Sequence, residues 1–279
     1  MFTVGLPIFY DLNNNVPSFS SLVYILFGLR LIKYIRHQIN FRIIAGNHIF
    51  KYYESMTIKI FSPDDDVSKI EGFTVVVDVF RAFSTSYFIS ENNPKIYLLS
   101  DSVVKSLTLK NELNDVILIG ERNGRKLESF DFGNSPYEVS GHDFTENTVI
   151  HTTTHGTRGV IVQPSANEVV VGSFVCMQAI INYINTNKIN TVNIYCSAKN
   201  NIEYGKEDYI FAEYFKARLS GESCSFEEVL STLRDGPGQV FVKEIFAPYI
   251  DFLMCMDINK FDFILKRKID GDNIQLEQI

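Results

Sequence analysis

Phe73–Val79 reads F-T-V-V-V-D-V. A nearly unbroken β-branched run marks a strand buried on both faces, which calls for a parallel sheet covered by helices. Its surroundings repeat the theme. Thr57–Phe61, Lys95–Leu99, Val116–Ile119, Thr148–Thr152, Glu168–Val171 and Val192–Cys196 are short runs that read as further strands. Helical stretches fall between them: Ala82–Asn92, a segment to Leu113 capped by Asp101 or Ser102, Phe174–Ile184 behind Ser173, and Asp208–Leu219 stopped by Ser220-Gly221. Ser225 and Glu228 form a capping-box pattern for one more. Strands alternating with helices predict an α/β fold with a three-layer, mostly parallel sheet.

The chain of 279 residues is 46% hydrophobic and 21% charged, as in soluble globular proteins. Its net charge of −7 argues against a general nucleic-acid binder, which needs a basic surface to displace phosphate counterions. Residues 1–56 differ, with five Lys or Arg against two Asp or Glu. Their strongest apolar run, Leu22–Ile32, is shorter than the about 20 residues that span a bilayer, and reads as an amphipathic helix. A surface-membrane role for residues 20–40 is the weaker alternative. Cys176, Cys196, Cys224 and Cys255 lack metal-ligand spacing and read as small core residues in a reducing, cytoplasmic setting.

In such folds ligands bind beyond the carboxyl ends of the strands, where polar residues cluster here. Asp78 could hold a metal ion, Arg81 could grip an oxyanion, and Ser84 and Thr85 open the following helix. The plain alternative is Asp78 as a helix cap paired with Arg81. The loop Gly120–Asn134 brings Glu121, Arg122 and Asp131, oxygen ligands and cations suited to Mg²⁺ and phosphate. Its Gly120-x-x-x-Gly124-Arg125-Lys126 is one residue short of a nucleotide P-loop. Thr152-Thr153-Thr154-His155-Gly156-Thr157 offers hydroxyls for an oxyanion, or is simply a threonine-rich turn. His151 and His155 are four apart, but a threonine run is poor helix, so a zinc pair is rejected. Glu207-Asp208 opens a helix, where acids usually complement the dipole. Together these sites suggest metal-assisted work on a phosphorylated or otherwise anionic small molecule.

These residues resemble a known family. Asp78-Val79-Phe80-Arg81-Ala82-Phe83-Ser84-Thr85 is similar to its D-V-L-R-A-T-S-T segment. Gly120-Glu121-Arg122 and Phe130-Asp131-Phe132-Gly133-Asn134-Ser135-Pro136 resemble G-E-R and F-D-x-G-N-S-P, and Thr152–Thr157 resembles T-T-T-N-G-T. Gly172-Ser173-Phe174 and Glu207-Asp208 follow in order. The family is 2-phosphosulfolactate phosphatase, and the resemblance runs over about residues 57–265. His155 stands where the family has Asn, and Phe83, Ser129, Cys176 and Ser197-Ala198-Lys199 also depart.

The resemblance implies a Mg²⁺-dependent phosphoric monoester hydrolase that removes phosphate from 2-phospho-3-sulfolactate, in the coenzyme M route, or from a similar phosphorylated hydroxy acid. It implies two similar α/β lobes, about 56–145 and 146–279, with the site between them, and suggests a homodimer. Residues 1–55 have no counterpart in it, and are an extension or an over-called start before Met56. In the expected chemistry Asp78, Glu121, Asp131 and Asp208 position Mg²⁺ and water, and Arg81 and Arg122 offset the charge of the transferring group. Asn134, Ser135 and Thr152–Thr157, including His155 and Gly156, hold the substrate. Asp78 as a covalent nucleophile is an alternative chemistry. A non-catalytic binding protein for anionic metabolites is the alternative function.

Overall fold

The computed structural model describes residues 42–45, 48–51, 56–163, 166, 168–199 and 205–279. The chain divides into two compact units, Met1–Ser55 and Met56–Ile279. In the first, β1 (Arg42–Ala45) and β2 (His48–Lys51) pair as an antiparallel hairpin. The helix expected over 22–32 lies outside the described residues. No helix among the described residues is long and apolar enough to cross a membrane.

The second unit is built on one sheet of ten strands. They are β3 (Thr57–Phe61), β4 (Phe73–Val77), β5 (Ile96–Ser100), β6 (Val116–Arg122), β7 (Arg125–Lys126), β8 (Thr148–Thr152), β9 (Glu168–Gly172), β10 (Thr191–Cys196), β11 (Leu265–Asp270) and β12 (Asn273–Gln278). Their spatial order is β3-β10-β4-β9-β11-β12-β5-β8-β6-β7. β3, β10, β4 and β9 are mutually parallel, as are β5, β8 and β6. Every residue of β4 and of β8 is buried, as the apolar run in β4 requires.

The helices of the second unit are α1 (Ala82–Glu91), α2 (Val103–Glu112), α3 (Pro136–Val139), α4 (Gly156–Ile161), α5 (Met177–Thr186), α6 (Lys206–Leu219), α7 (Phe226–Asp235), α8 (Val240–Lys243) and α9 (Tyr249–Cys255). Ser102 caps α2 by accepting from the Lys105 amide at 3.2 Å, and Ser225 caps α7 through the Glu228 amide at 3.4 Å. α1 packs on β9, α2 on β5, β6 and β8, and α6 on β4 and β10.

The C-terminal hairpin β11–β12 was not legible in the pattern. It inserts antiparallel between β9 and β5 and makes the sheet mixed. One sheet therefore runs through the unit, and the expected two lobes do not appear as separate sheets. Strands from both halves of the chain interleave: β4 lies between β10 and β9, and β8 between β5 and β6.

The hairpin also reverses direction, so the two parallel groups point opposite ways. In a flat sheet their carboxyl ends would lie at opposite edges. They meet instead, because α4, just past β8, touches both β4 and β5.

Candidate active site

Asp78 follows the last residue of β4 and caps α1, its Oδ1 accepting from the Ala82 amide at 2.9 Å. Capping and metal-holding were alternatives in the sequence; the cap is present. Across from it, Asp208 Oδ1 accepts from the Val79 amide at 2.8 Å. The Ser197 hydroxyl lies between the two carboxylates, 3.2 Å from Asp78 Oδ2 and 3.4 Å from Asp208 Oδ2. Gly205, at φ +82, starts α6 and delivers Glu207-Asp208 to this point; a Cβ there would meet the Lys199 carbonyl oxygen at 2.5 Å.

Among the described residues no ion pair neutralises this group. Burial raises the Asp78 carboxyl to about 6, with the nearby Glu121 charge adding and His155 opposing. Burial raises Glu207 to about 7, and the Asp78 charge adds to it. Asp208 is pushed well above the usual carboxylate range by burial and then by Asp78 and Glu207. Three like-charged carboxyls out of bulk water must share protons or a cation.

The pairing of Arg81 with Asp78 that the sequence offers does not form; Arg81 takes Asp251 instead. Arg81 is 6% exposed and donates through Nη1 to Asp251 Oδ2 at 2.5 Å, and through Nη2 to the carbonyls of Gly124 at 3.2 Å and Phe246 at 3.4 Å. Glu121 accepts from the Gly124 amide at 2.7 Å, the Thr154 amide at 2.6 Å and the Thr154 hydroxyl at 3.0 Å. Two of the remaining threonines bond each other. Thr153 and Thr157 close a reciprocal turn, the Thr157 amide donating to Thr153 Oγ1 at 3.1 Å and the Thr153 amide to Thr157 Oγ1 at 3.2 Å. The Thr152 hydroxyl lies 2.7 Å from that of Ser106. The threonine run thus shapes the turn, and His155 is its exposed member.

Gly156 follows His155 and sets the floor. A Cβ there would lie 2.6 Å from Ala82 Cβ and 2.7 Å from Asp78 Oδ2, so only glycine lets α4 start against Asp78. Ser84 is buried with its hydroxyl on the Val79 carbonyl at 2.9 Å; Thr85 is buried with no partner for Oγ1 among the described residues.

The other expected residues lie apart from the carboxyl group. Asp131 is exposed and bound to Lys110 at 2.8 Å and to the Leu118 amide at 2.8 Å. Arg122 donates to the carbonyls of Glu121 and Asp101 at 2.8 and 2.9 Å. Asn134 Oδ1 lies 3.2 Å from His151 Nε2, and His151 Nδ1 lies 2.8 Å from the Tyr97 hydroxyl. Burial holds His151 neutral, its pKa lowered to about 3. With Asn134 Oδ1 as acceptor, Nε2 carries the ring proton.

Among the described residues, no three His, Cys, Asp or Glu side chains form a preformed metal cage. Mg²⁺ does not require one: one or two carboxylates suffice when water and substrate phosphate complete the sphere. Asp78 and Asp208, hard oxygen donors destabilised by their own repulsion, fit that requirement.

Fold and site define an α/β protein with a carboxylate-centred site at a strand end. The chain belongs to the 2-phosphosulpholactate phosphatase family, whose model matches residues 60–235. A probable 2-phosphosulfolactate phosphatase of Caldicellulosiruptor saccharolyticus is 32% identical over 170 residues, 60% of this chain and 66% of that relative, just under two thirds of its length. Proteins described in the same words from Carboxydothermus hydrogenoformans and Bacillus subtilis are 28% and 25% identical over 236 and 214 residues. Those matches cover 78% and 74% of this chain and 95% and 91% of the relatives.

Asp251 and Ser197 are the site residues that sequence reasoning missed. Ser197 gives no signal. Asp251 does: it is the lone acid in Tyr249–Cys255, Y-I-D-F-L-M-C, and a charge inside an apolar helical run calls for a buried partner.

Proposed function

We propose that the protein is a Mg²⁺-dependent phosphatase acting on a small phosphorylated hydroxy acid, 2-phospho-3-sulfolactate or a close analogue. The observation that carries this reading is the Asp78–Asp208 carboxylate pair bridged by the Ser197 hydroxyl, beside the His155-Gly156 turn, in a chain of this family. Asp78 and Asp208 would hold the cation. When bound, Mg²⁺ supplies Lewis-acid polarisation of the phosphate ester and lowers the pKa of water.

The chain's own residues do the rest. The turn Thr152–Thr157 fixes where the substrate meets Asp78, and Gly156 keeps that approach open. His155, exposed beside Asp78, adds a polar ring at the position where the family has Asn. Asn134, with its oxygen on His151, keeps its amide N–H groups for an anionic oxygen. Arg81, Glu121 and the buried threonines set the geometry of the turn and its loop. Asp131 ties β6 to α2, and Arg122 ties β6 to the segment before α2.

The test is phosphate release from a panel of phosphorylated hydroxy acids, with Mg²⁺ or with EDTA, by wild type and Asp78→Asn. Mg²⁺-dependent release that Asp78→Asn abolishes is expected. Tight binding of the same compounds without turnover would replace the enzyme by an anion-binding protein.

A further inference from the structure

We infer that Asp251 is a positioning residue of this site, acting through Arg81 on the turn that meets the substrate. The inference rests on the phosphatase reading for its kinetic consequence alone; the geometry is independent of it. The family match ends at residue 235, so Asp251 lies beyond it.

Asp251 is fully buried and each of its oxygens is used. Oδ2 takes Arg81 Nη1 at 2.5 Å. Oδ1 takes the Ser135 hydroxyl at 2.8 Å and the Tyr137 amide at 3.1 Å. One carboxylate on α9 thus joins the segment after β4 to the cap of α3, 170 and 116 residues earlier in the chain.

From Arg81 the connection continues without a gap. Nη2 donates to the Gly124 carbonyl at 3.2 Å. The Gly124 amide donates to Glu121 Oε2 at 2.7 Å. Glu121 Oε1 and Oε2 take the amide and hydroxyl of Thr154, whose Oγ1 also accepts from the Asn123 amide at 3.3 Å. Thr154 precedes His155 and Gly156, the residues against Asp78.

Every member carries a bond on each side, so each is held in one orientation. An arginine suits the centre because its planar fork can bridge a carboxylate and a carbonyl at once. Arg81 is therefore committed to protein groups, and Asp251 is what commits it. Phe246 and Phe241 cover the same place: Arg125 stacks on Phe246 at 4.5 Å and Arg81 lies 5.8 Å from the Phe241 ring.

The experiment uses the full chain with Asp251→Asn, which keeps the side-chain shape but removes the charge, and Arg81→Lys, which keeps the ion pair but cannot bridge to Gly124. Amide hydrogen exchange is read at Gly124 and Thr154 and, as reference, at Val75–Val77 of β4. In both variants exchange at Gly124 and Thr154 is expected to quicken at least about 10-fold while the β4 amides stay within about twofold. On the phosphorylated hydroxy acids, kcat is expected to fall about 100-fold with KM moving less than about threefold, the cost of a small misplacement.

Uniform acceleration at all amides, or none at Gly124 and Thr154, overturns the inference. So does full kcat alongside the local acceleration. If Asp251→Asn does not fold, Arg81→Lys decides by the same criteria. Wild type inactive on every compound removes the phosphatase reading, and the exchange pattern then decides the coupling on its own.

Discussion

Replacing Asp78 by Asn should stabilise the metal-free protein at neutral pH while abolishing its activity. The substitution is nearly isosteric. Asn Oδ1 can still accept from the Ala82 amide, and its Nδ2 can donate to the Ser197 hydroxyl, which rotates to accept. What changes is one charge. The folded state holds the Asp78 proton more tightly than the unfolded chain, moving it from 3.8 to about 6. Unfolding therefore releases a proton between about pH 4 and 6, and stability falls as pH rises through that window. Glu207, at about 7, extends the fall toward neutrality.

At about 1.4 kcal/mol per unit the Asp78 shift corresponds to about 3 kcal/mol, and partial exposure of the side chain trims it to about 2 kcal/mol. The variant should match wild type near pH 4 and exceed it by about 2 kcal/mol at pH 8. Removing the charge should also lower the pKa of Glu207 and Asp208, since Asp78 helps to raise both. Urea unfolding in EDTA, followed by far-UV circular dichroism because the chain has no Trp, measures the difference. Phosphate release should fall at least about 100-fold. A variant equally less stable at both pH values, or one with full activity, would refute the reasoning.

Three further outcomes are expected. Mg²⁺ at 100 times its dissociation constant should stabilise wild type by about 2.7 kcal/mol and leave Asp78→Asn nearly unmoved, as read by thermal unfolding with and without EDTA. Gly156→Ala should lose about 1–3 kcal/mol and most activity, because its Cβ would overlap Ala82 Cβ and Asp78 Oδ2; unfolding and turnover on the same preparation check both. His151 is held neutral from an ordinary 6.5 down to about 3, so stability is lost as pH falls below about 6.5. Relative to wild type, His151→Gln should gain about 2–3 kcal/mol between pH 7.5 and 4.5, and parallel urea curves would show it.

The sequence by itself determined the alternation of strands and helices, the two-sided burial of β4, the cap at Ser225, and the strand-end placement of Asp78 and Thr152–Thr157, and it narrowed the cap of α2 to Asp101 or Ser102. These are local properties: β-branched runs, capping side chains and turn residues act within a few positions. It missed β11 and β12, whose charged and half-exposed residues carry no buried-strand pattern and which pair only by reaching across the sheet. Only the tertiary structure decided which polar residues are free. Arg81 and Glu121 read as ligands for a substrate or metal, and in the fold Asp251, Gly124 and Thr154 bond them, while no ion pair among the described residues reaches Asp78, Glu207 or Asp208. A buried charge must be paired, but its partner can come from any part of the chain. For Arg81 it lies 170 residues away.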